Sequence, residues 1–359
     1  DYSDIRGYRV KYLSSDPTLN TSTEGQVWYN STEGVLKSLV QIKATSSSGS
    51  LNTARAYLAG FGTQTAGVAS GGKNAPGTGA RTDTEEYSGF SWATGGALNT
   101  GRRFNTQGAG SQTAGLLSGG STAPGSPNNT NASEEYDGST WTTVNPINTA
   151  RYGSGTSINS PQTASVLFGG FTTADTAATE EYDGTSWTTV NNMNTARRVL
   201  AGAGIQTAAL AFGGSGSPPG VLTELYDGTS WTASSSNLNT ARSYLAGFGL
   251  QTHAIAVGNG SPNTAIEEWD GSAWGASPAT LGTARGYLAG AGTGTAGLMF
   301  GGQSPVTGAT EEYISDIANY DPSSQDAWSS GGNLNTERSS GAGAGQTSAY
   351  VMFGGFQFP

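Results

Sequence analysis

The stretch MNTARRVLAGAGIQTAALAFGG, residues 193–214, contains an Asn-Thr-Ala-Arg run, a segment of small residues and a Gly-Gly doublet. The same order of features recurs along the whole chain. The opening motif is found at LNTAR (51–55), LNTGR (98–102), INTAR (147–151), MNTAR (193–197), LNTAR (238–242), LGTAR (281–285) and LNTER (334–338). A motif repeated this often indicates a structural building unit rather than a single site.

Each repeat has the pattern of four short strands. The opening motif leads into a small-residue strand, a turn around Gln-Thr and a second, apolar strand that ends at the Gly doublet. A loop of variable length follows, and then segments such as TEEYSGFSW (84–92) and TEEYDGTSW (179–187), in which an aromatic residue precedes Trp by five positions. Four of these turns contain Asp-Gly, which is a strong hairpin signal. No helical periodicity is present, so the sequence predicts an all-β fold.

A four-stranded unit of this length is typical of a propeller blade. The blades are expected to start near residues 51, 98, 147, 193, 238, 281 and 334. The last copy has no third or fourth strand behind it, whereas EGQVWYNSTEGVLKSLV (24–40) offers two strands before the first copy. The sequence therefore predicts a seven-bladed propeller over residues 26–359, in which residues 26–40 complete the blade of residues 334–355. Residues 1–25 are expected to form an N-terminal arm or attachment segment.

Composition and charge argue against several classes of partner. The net charge is −10, and the only small group of cations is Arg6, Arg9 and Lys11. Nucleic-acid binding needs clustered cations, so no nucleic-acid partner is expected. No apolar run approaches the roughly 20 residues that span a bilayer, so no membrane insertion is expected. With no cysteine and a single histidine, His253, we expect no metal and no cofactor.

One arginine and one glutamate recur at fixed positions of the repeat. Because like charges on a small ring repel one another, we interpret the two sets as a structural ring of Arg-carboxylate pairs. An anion site at one mouth of the central channel remains the alternative. In the N-terminal half-blade Val27 occupies the glutamate position, which leaves the partner of Arg338 open. The two sets are Arg55, Arg102, Arg151, Arg197, Arg242, Arg285 and Arg338, and Glu85, Glu134, Glu180, Glu224, Glu267 and Glu311.

The Gly doublet, the Tyr after it and the downstream Trp resemble the repeats of kelch-type propellers. The spacing from the aromatic residue to Trp is one residue shorter than in the common kelch pattern, as in a divergent branch. In addition, the segment of residues 24–40 resembles a stretch found in structural proteins of tailed bacteriophages. The Thr-, Asn-, Gly- and Ser-rich repeats resemble those of marine phage virion proteins.

This resemblance implies a non-catalytic virion appendage or decoration protein, on a tail or capsid, that binds a host surface or neighbouring subunits. The chain would then act at a virion or extracellular surface, within a larger assembly. The enzymes known on related propellers need histidine and cysteine residues that this chain lacks, so no catalytic residue is expected. The alternatives are a cell-surface carbohydrate-binding or adhesion propeller, an intracellular kelch scaffold, and a polysaccharide-acting hydrolase or lyase.

Two features are candidates for contact with a partner. The loops between the second and third strands vary in length and sequence, and such loops on a rigid frame often carry recognition. The sixth repeat has an insertion, ISDIANYDPSSQDA (314–327), where other repeats have four residues. This insertion is expected to be a loop that either is solvated, with its apolar residues folded back on the blade, or contacts a basic segment of a neighbouring subunit. The candidate contact residues are Ile317, Tyr320 and Asp321, with Arg6, Arg9 and Lys11 as the basic segment.

Overall fold

The computed structural model describes residues 10–17, 27–74, 79–103, 107–123, 128–216, 220–320, 342–346 and 349–353. All regular secondary structure in these ranges is β-strand, which confirms the all-β class. The chain divides into two compact units, one of residues 43–315 and one that combines residues 1–42 with residues 316–359. These boundaries differ from the predicted division into residues 1–25 and 26–359.

The smaller unit contains a hairpin near its N-terminal end, as expected for residues 24–40. One face of this hairpin buries Trp28, whose indole N–H donates to the carboxylate of Asp16 at 3.0 Å. The same carboxylate accepts hydrogen bonds from Asn30 and Lys37. The first strand is parallel to the second, and the second is antiparallel to the third. These strands are β1 (Lys11–Leu13), β2 (Val27–Asn30) and β3 (Val35–Ser48), and β3 continues into the larger unit.

Five consecutive repeats of the larger unit each form one four-stranded antiparallel sheet, with the strands in chain order from the inner to the outer edge. The first sheet has β4 (Ala59–Gly62), β5 (Gly67–Ser70), β6 (Thr84–Tyr87) and β7 (Trp92–Thr94), and the second has β8 (Ala109–Ser111), β9 (Ala114–Ser118), β10 (Ser133–Tyr136) and β11 (Trp141–Val144). The third has β12 (Gly155–Thr156), β13 (Ser165–Phe168), β14 (Thr179–Tyr182) and β15 (Trp187–Val190), and the fourth has β16 (Ala201–Ile205), β17 (Ala208–Phe212), β18 (Thr223–Tyr226) and β19 (Trp231–Ala233). The fifth has β20 (Ala246–Leu250), β21 (His253–Val257), β22 (Asn263–Trp269) and β23 (Trp274–Arg285).

The sixth repeat forms a sheet from β24 (Ala289–Gly292), β25 (Ala296–Phe300) and β26 (Thr310–Tyr320), and β3 is the next strand after β26. The predicted insertion loop is therefore partly wrong, because residues 314–320 extend the third strand of this sheet instead of leaving it. In the smaller unit, the seventh copy of the motif forms the expected hairpin. Its strands are β27 (Ala342–Gln346) and β28 (Ala349–Phe353), which pair antiparallel.

The inner strands of the six sheets surround an axis, as in a β-propeller. Strand β4 contacts β8 on one side and β24 on the other, and β20 contacts both β16 and β24. Glycines make this close approach possible. A Cβ atom added at Gly60 would lie 2.6 Å from the ring of Phe300 and 2.7 Å from the carbonyl oxygen of Gly290. The first and sixth sheets are thus direct neighbours.

Aromatic contacts repeat the same order of sheets. A Phe on the second strand of one sheet meets the Trp that begins the fourth strand of the next sheet. Ring centroids are 4.7 Å apart for Phe168 and Trp231, and 4.9 Å apart for Phe300 and Trp92. The second pair joins the sixth sheet to the first, which are also neighbours at their inner strands.

Closure of the ring by residues 26–40 is not confirmed. The sequence predicts that the seventh copy lies between the sixth sheet and the first, whereas these two sheets contact each other directly. Residues 43–48, the last part of β3, belong to the larger unit instead. Lys43 forms a 2.5 Å ion pair with Glu268, and the hydroxyl of Ser48 is hydrogen-bonded to that of Tyr87. The N-terminal segment that belongs to the larger unit is therefore residues 43–48 of β3, and not the predicted residues 26–40.

Candidate functional site

The recurrent arginines and glutamates form ion pairs within single repeats. Each described arginine of the set is at most 3% exposed. The pairs are Arg55–Glu85 (2.9 Å), Arg102–Glu134, Arg151–Glu180 (2.9 Å), Arg197–Glu224 (3.2 Å), Arg242–Glu267 (3.0 Å) and Arg285–Glu311 (2.8 Å). Arg338 lies outside the described residues, and Val27 is exposed on β2.

The glutamate of each pair also fixes the loop that carries the Asn-Thr-Ala-Arg motif. In the second sheet, the Glu134 carboxylate accepts the backbone N–H of Asn99 at 2.7 Å and the side-chain amide of Asn99 at 3.0 Å. That amide donates in addition to the carbonyl of Trp141 at 2.7 Å. The motif therefore joins the start of a blade to the third and fourth strands of the same blade, which explains its recurrence.

The guanidinium groups of these arginines are thus bonded to a carboxylate and, in most of them, to main-chain carbonyls of the protein itself. Burial lowers the pKa of Arg197 to about 10, while the neighbouring Glu224 carboxylate opposes that change, so the guanidinium remains charged at neutral pH. None of the described arginines of this set lines the cavity on the propeller axis, which is bordered by Tyr57, Tyr244 and Tyr287. The pairs thus have the geometry of the structural interpretation and not that of an anion site.

Hydrogen bonds between neighbouring sheets form a second recurrent set, which the sequence analysis did not identify. A Tyr hydroxyl of one sheet donates to a Glu of the preceding sheet, and a Trp indole N–H donates to a Thr or Ser. The Tyr–Glu bonds are Tyr87–Glu312 (2.5 Å), Tyr136–Glu86 (2.6 Å), Tyr182–Glu135 (2.8 Å), Tyr226–Glu181 (2.8 Å) and Tyr313–Glu268 (2.8 Å). The Trp bonds are Trp92–Thr310, Trp141–Thr84, Trp187–Ser133, Trp231–Thr179 and Trp274–Thr223.

The one break in the Tyr–Glu set changes both partners together. Where the fourth sheet has Leu225 at the Glu position, the fifth sheet has Trp269 at the Tyr position. A Glu at residue 225 would have met no hydroxyl, and a Tyr at residue 269 would have met no carboxylate. Trp269 instead donates its indole N–H to the carbonyl of Gln251 at 2.7 Å. The sequence contains the signal for this break, because the segments TELY (223–226) and IEEW (266–269) depart from the common Glu-Glu-Tyr in two consecutive repeats.

A Gln in the first turn of most repeats provides a third bond between sheets. Its side-chain amide donates to one or two main-chain carbonyls of the preceding sheet, from Gln64, Gln112, Gln162, Gln206 and Gln251. The sixth repeat has Gly294 at this position, and the fifth has His253 where most other repeats have Ala. A Cβ atom added at Gly294 would lie 2.6 Å from Cγ of His253. The imidazole thus fills the volume that the missing Gln leaves.

The paired change at His253 and Gly294 predicts a pH-dependent difference in stability. Burial lowers the pKa of His253 below its ordinary value of 6.5, so the folded state binds fewer protons at this site than the unfolded state. The wild type should therefore lose stability as the pH falls below about 6.5. The double variant His253→Ala/Gly294→Gln restores the common pattern and should lose less stability between pH 7 and pH 5. Urea unfolding at both values measures the difference.

Two single variants complete this test. Gly294→Gln alone should destabilise the protein at all pH values, because its side chain meets the imidazole. His253→Ala alone should remove the pH-dependent difference and leave a small cavity. An equal loss of stability with acid in the wild type and the double variant would contradict the assignment.

At one end of the axis, equivalent residues of five sheets form the axial mouth: Tyr57, Gly153, Val199, Tyr244 and Tyr287. Each lies two residues after the recurrent arginine. Their backbone φ values lie between 49° and 66°, in the left-handed region. Main-chain hydrogen bonds connect four neighbouring pairs, from the N–H of one residue to the carbonyl of its equivalent. These bonds are Tyr57–Tyr287, Tyr287–Tyr244, Tyr244–Val199 and Val199–Gly153.

The three tyrosine rings of the axial mouth lie against one another. Ring centroids are 4.4 Å apart for Tyr57 and Tyr287 and 4.3 Å apart for Tyr244 and Tyr287. The rings border a cavity of about 60 Å³. Gln107 closes its floor, since its side-chain carbonyl accepts the N–H of Gly202 at 2.6 Å and its amide donates to Gly247. Burial raises the pKa of Tyr57 and of Tyr244, so these phenols remain protonated at neutral pH.

Cations surround the axial mouth in a protein that is acidic overall. Lys73 Nζ lies 4.4 Å from the centroid of the Tyr57 ring, and the charge of Arg103 acts on both of these residues. Across the mouth, the Arg198 guanidinium lies 4.5 Å from the Phe171 ring centroid and influences the pKa of Tyr244. Sequence reasoning did not identify this site.

The residues predicted to contact a partner do not meet in the described structure. Lys11 is exposed on β1, whereas Arg6, Arg9 and Asp321 lie outside the described residues. Ile317 and Tyr320 belong to the extended strand β26. Their proposed contact with another subunit remains a prediction.

Within the described ranges, no three His, Cys, Asp or Glu side chains are grouped so that they could hold a metal ion. The same ranges contain no helix long and apolar enough to cross a membrane. No protein-family model matches this sequence, and no curated protein matches it either.

Proposed function

We propose that this chain is a non-catalytic virion appendage or decoration protein that displays a kelch-like propeller to a host surface or to neighbouring subunits. One observation supports the display function above others. The polar groups that recur in the repeats are bonded to one another within and between sheets, as in the Arg102–Glu134 and Tyr136–Glu86 pairs. Such a frame holds the segments that differ from repeat to repeat in fixed positions, which is what recognition by loops requires.

The setting in a virion rests on the resemblance of residues 24–40 and of the repeats to phage structural proteins. Fold alone does not determine function, so the variable segments must carry any specificity. In the proposed display, the loops between second and third strands and the axial mouth occupy the same side of the propeller. A cell-surface carbohydrate-binding propeller is the second candidate, and the three tyrosines of the axial mouth favour it because aromatic rings suit sugar faces.

Replacement of the variable loops tests the display function. Exchanging residues 74–80 and 122–128 for Gly-Ser linkers of equal length should leave thermal unfolding unchanged and strongly reduce attachment to host cells or incorporation into particles. Phe90→Ser is a suitable control, because Phe90 is 84% exposed in a turn on the opposite side of the first sheet. Full attachment and full incorporation of the loop variant would contradict a recognition role for these loops.

A further inference from the structure

The axial mouth has a backbone conformation that its side chains do not favour. Left-handed backbone costs about 1–2 kcal/mol for a residue with a Cβ atom, whereas glycine adopts it freely. The equivalent position of the third sheet is indeed Gly153, with φ of 66°. The same position nevertheless holds Tyr57, Tyr244 and Tyr287 in three other sheets. The blade can therefore be built with glycine, and the tyrosine side chains are retained despite the strain.

Strained residues of this kind cluster at functional sites, so the rings call for a role outside the frame. Their hydroxyls are not part of the Tyr–Glu bonds that connect the sheets. The rings are half-buried and stand around a cavity of about 60 Å³, which holds only a few ligand atoms. An aromatic ring with a polar tip suits a flat ligand that has C–H groups on its face and hydroxyls at its edge.

The charge around the axial mouth selects among such ligands. Lys73 Nζ lies 4.4 Å from the centroid of the Tyr57 ring, and the charges of Arg103 and Arg198 act on Tyr57 and Tyr244. Asp175, which forms an ion pair with Arg198 at 3.3 Å, is the one acidic side chain among these groups, and no charged side chain of the described residues lines the cavity itself. This positive mouth in a protein of net charge −10 favours an anionic ligand over a neutral one.

We propose that the axial mouth binds a sugar residue that bears a carboxylate, with the pyranose ring against the tyrosines and the carboxylate towards Lys73 and Arg103. This inference rests on the proposed display function and names the ligand class that the display would recognise. Binding would be weak for a single sugar, because the mouth contacts few atoms. Several propellers on one particle would strengthen it by multivalency.

Titration of the intact protein with glucuronate and with glucose, followed by saturation-transfer NMR, tests the proposal. We expect saturable binding of glucuronate and much weaker binding of glucose. Tyr244→Gly and Tyr287→Gly should each weaken glucuronate binding by about tenfold or more, equivalent to about 1.4 kcal/mol. Lys73→Gln should weaken glucuronate binding without affecting glucose.

Phe90→Ser is the control, because it removes an exposed aromatic ring that lies outside the axial mouth. It should bind glucuronate as the wild type does. The two glycine variants gain a residue that favours this backbone conformation and lose ring contacts, so their melting temperatures should change little.

The proposal is overturned if glucuronate and glucose bind equally, if neither binds, or if the Tyr→Gly variants bind like the wild type. A large fall in melting temperature for Tyr287→Gly would also overturn it, because the rings would then serve the frame. Failure of glucuronate binding would leave particle incorporation and loop-dependent attachment unaffected, so it is distinguishable from failure of the display function.

Discussion

Replacing Glu134 with alanine should lower the free energy of unfolding by about 3–5 kcal/mol, because it leaves a fully buried arginine without its carboxylate. Both Arg102 and Glu134 are 0% exposed. The carboxylate also accepts the backbone N–H groups of Asn99 and Thr100, which would lose their partner. In a domain of this size, the loss corresponds to a fall of roughly 10 °C in melting temperature. Urea unfolding and thermal denaturation of the full chain measure both quantities.

Glu135→Ala provides a matched control from the next position of the same strand. Glu135 is half-buried and accepts one hydrogen bond from the Tyr182 hydroxyl at 2.8 Å. Its loss should cost about 1 kcal/mol, the usual contribution of one such bond. The double variant Arg102→Met/Glu134→Leu should be more stable than Glu134→Ala, because it removes both charges. Equal losses for Glu134→Ala and Glu135→Ala would show that the pair is not a principal element of the frame.

The sequence allowed prediction of the features that depend on a single repeat. Strands, turns and the Arg and Glu positions recur every 43 to 53 residues, so each copy reinforces the interpretation of the others. The pairing of Arg55 with Glu85 needs only the fold of one blade. The order in which blades meet depends instead on small differences between copies. The contact of Gly60 with Gly290 and Phe300, which brings the sixth sheet against the first, could not be deduced from a pattern common to all repeats.

The axial mouth was missed for a related reason. Tyrosine has no preference for left-handed backbone, so nothing in its propensity marks Tyr57, Tyr244 or Tyr287 as unusual. The available signal is a comparison between repeats. The position two residues after the arginine holds glycine in one repeat, Gly153, and side chains from Ser340 to tyrosine in the others, which indicates that the frame does not require one particular side chain there.

The ring should fold without the smaller unit. In the larger unit, the contacts of the first sheet with the sixth are made by residues 43–315 alone, including the hydrogen bond from Trp92 to Thr310 at 2.9 Å. We therefore expect a chain of residues 43–315 to unfold cooperatively, with a melting temperature close to that of the full chain. Aggregation of this chain, or a melting temperature far below that of the full protein, would show that the seventh copy belongs to the ring.

Shortening the same chain to residues 51–315 should have a large effect. The eight deleted residues include Lys43, which pairs with the buried Glu268, and Ser48, which bonds to Tyr87. Their removal takes away the Lys43 ammonium group that pairs with the Glu268 carboxylate. It also exposes the edge of strand β26, which can then pair with another molecule. A loss of roughly 5 kcal/mol would lower the melting temperature by about 10–20 °C and favour aggregation. Comparison of the two chains by calorimetry and light scattering separates the contributions, because they differ only in residues 43–50. If both chains behave alike, residues 43–48 are dispensable, and the ring is held by the contacts between its sheets alone.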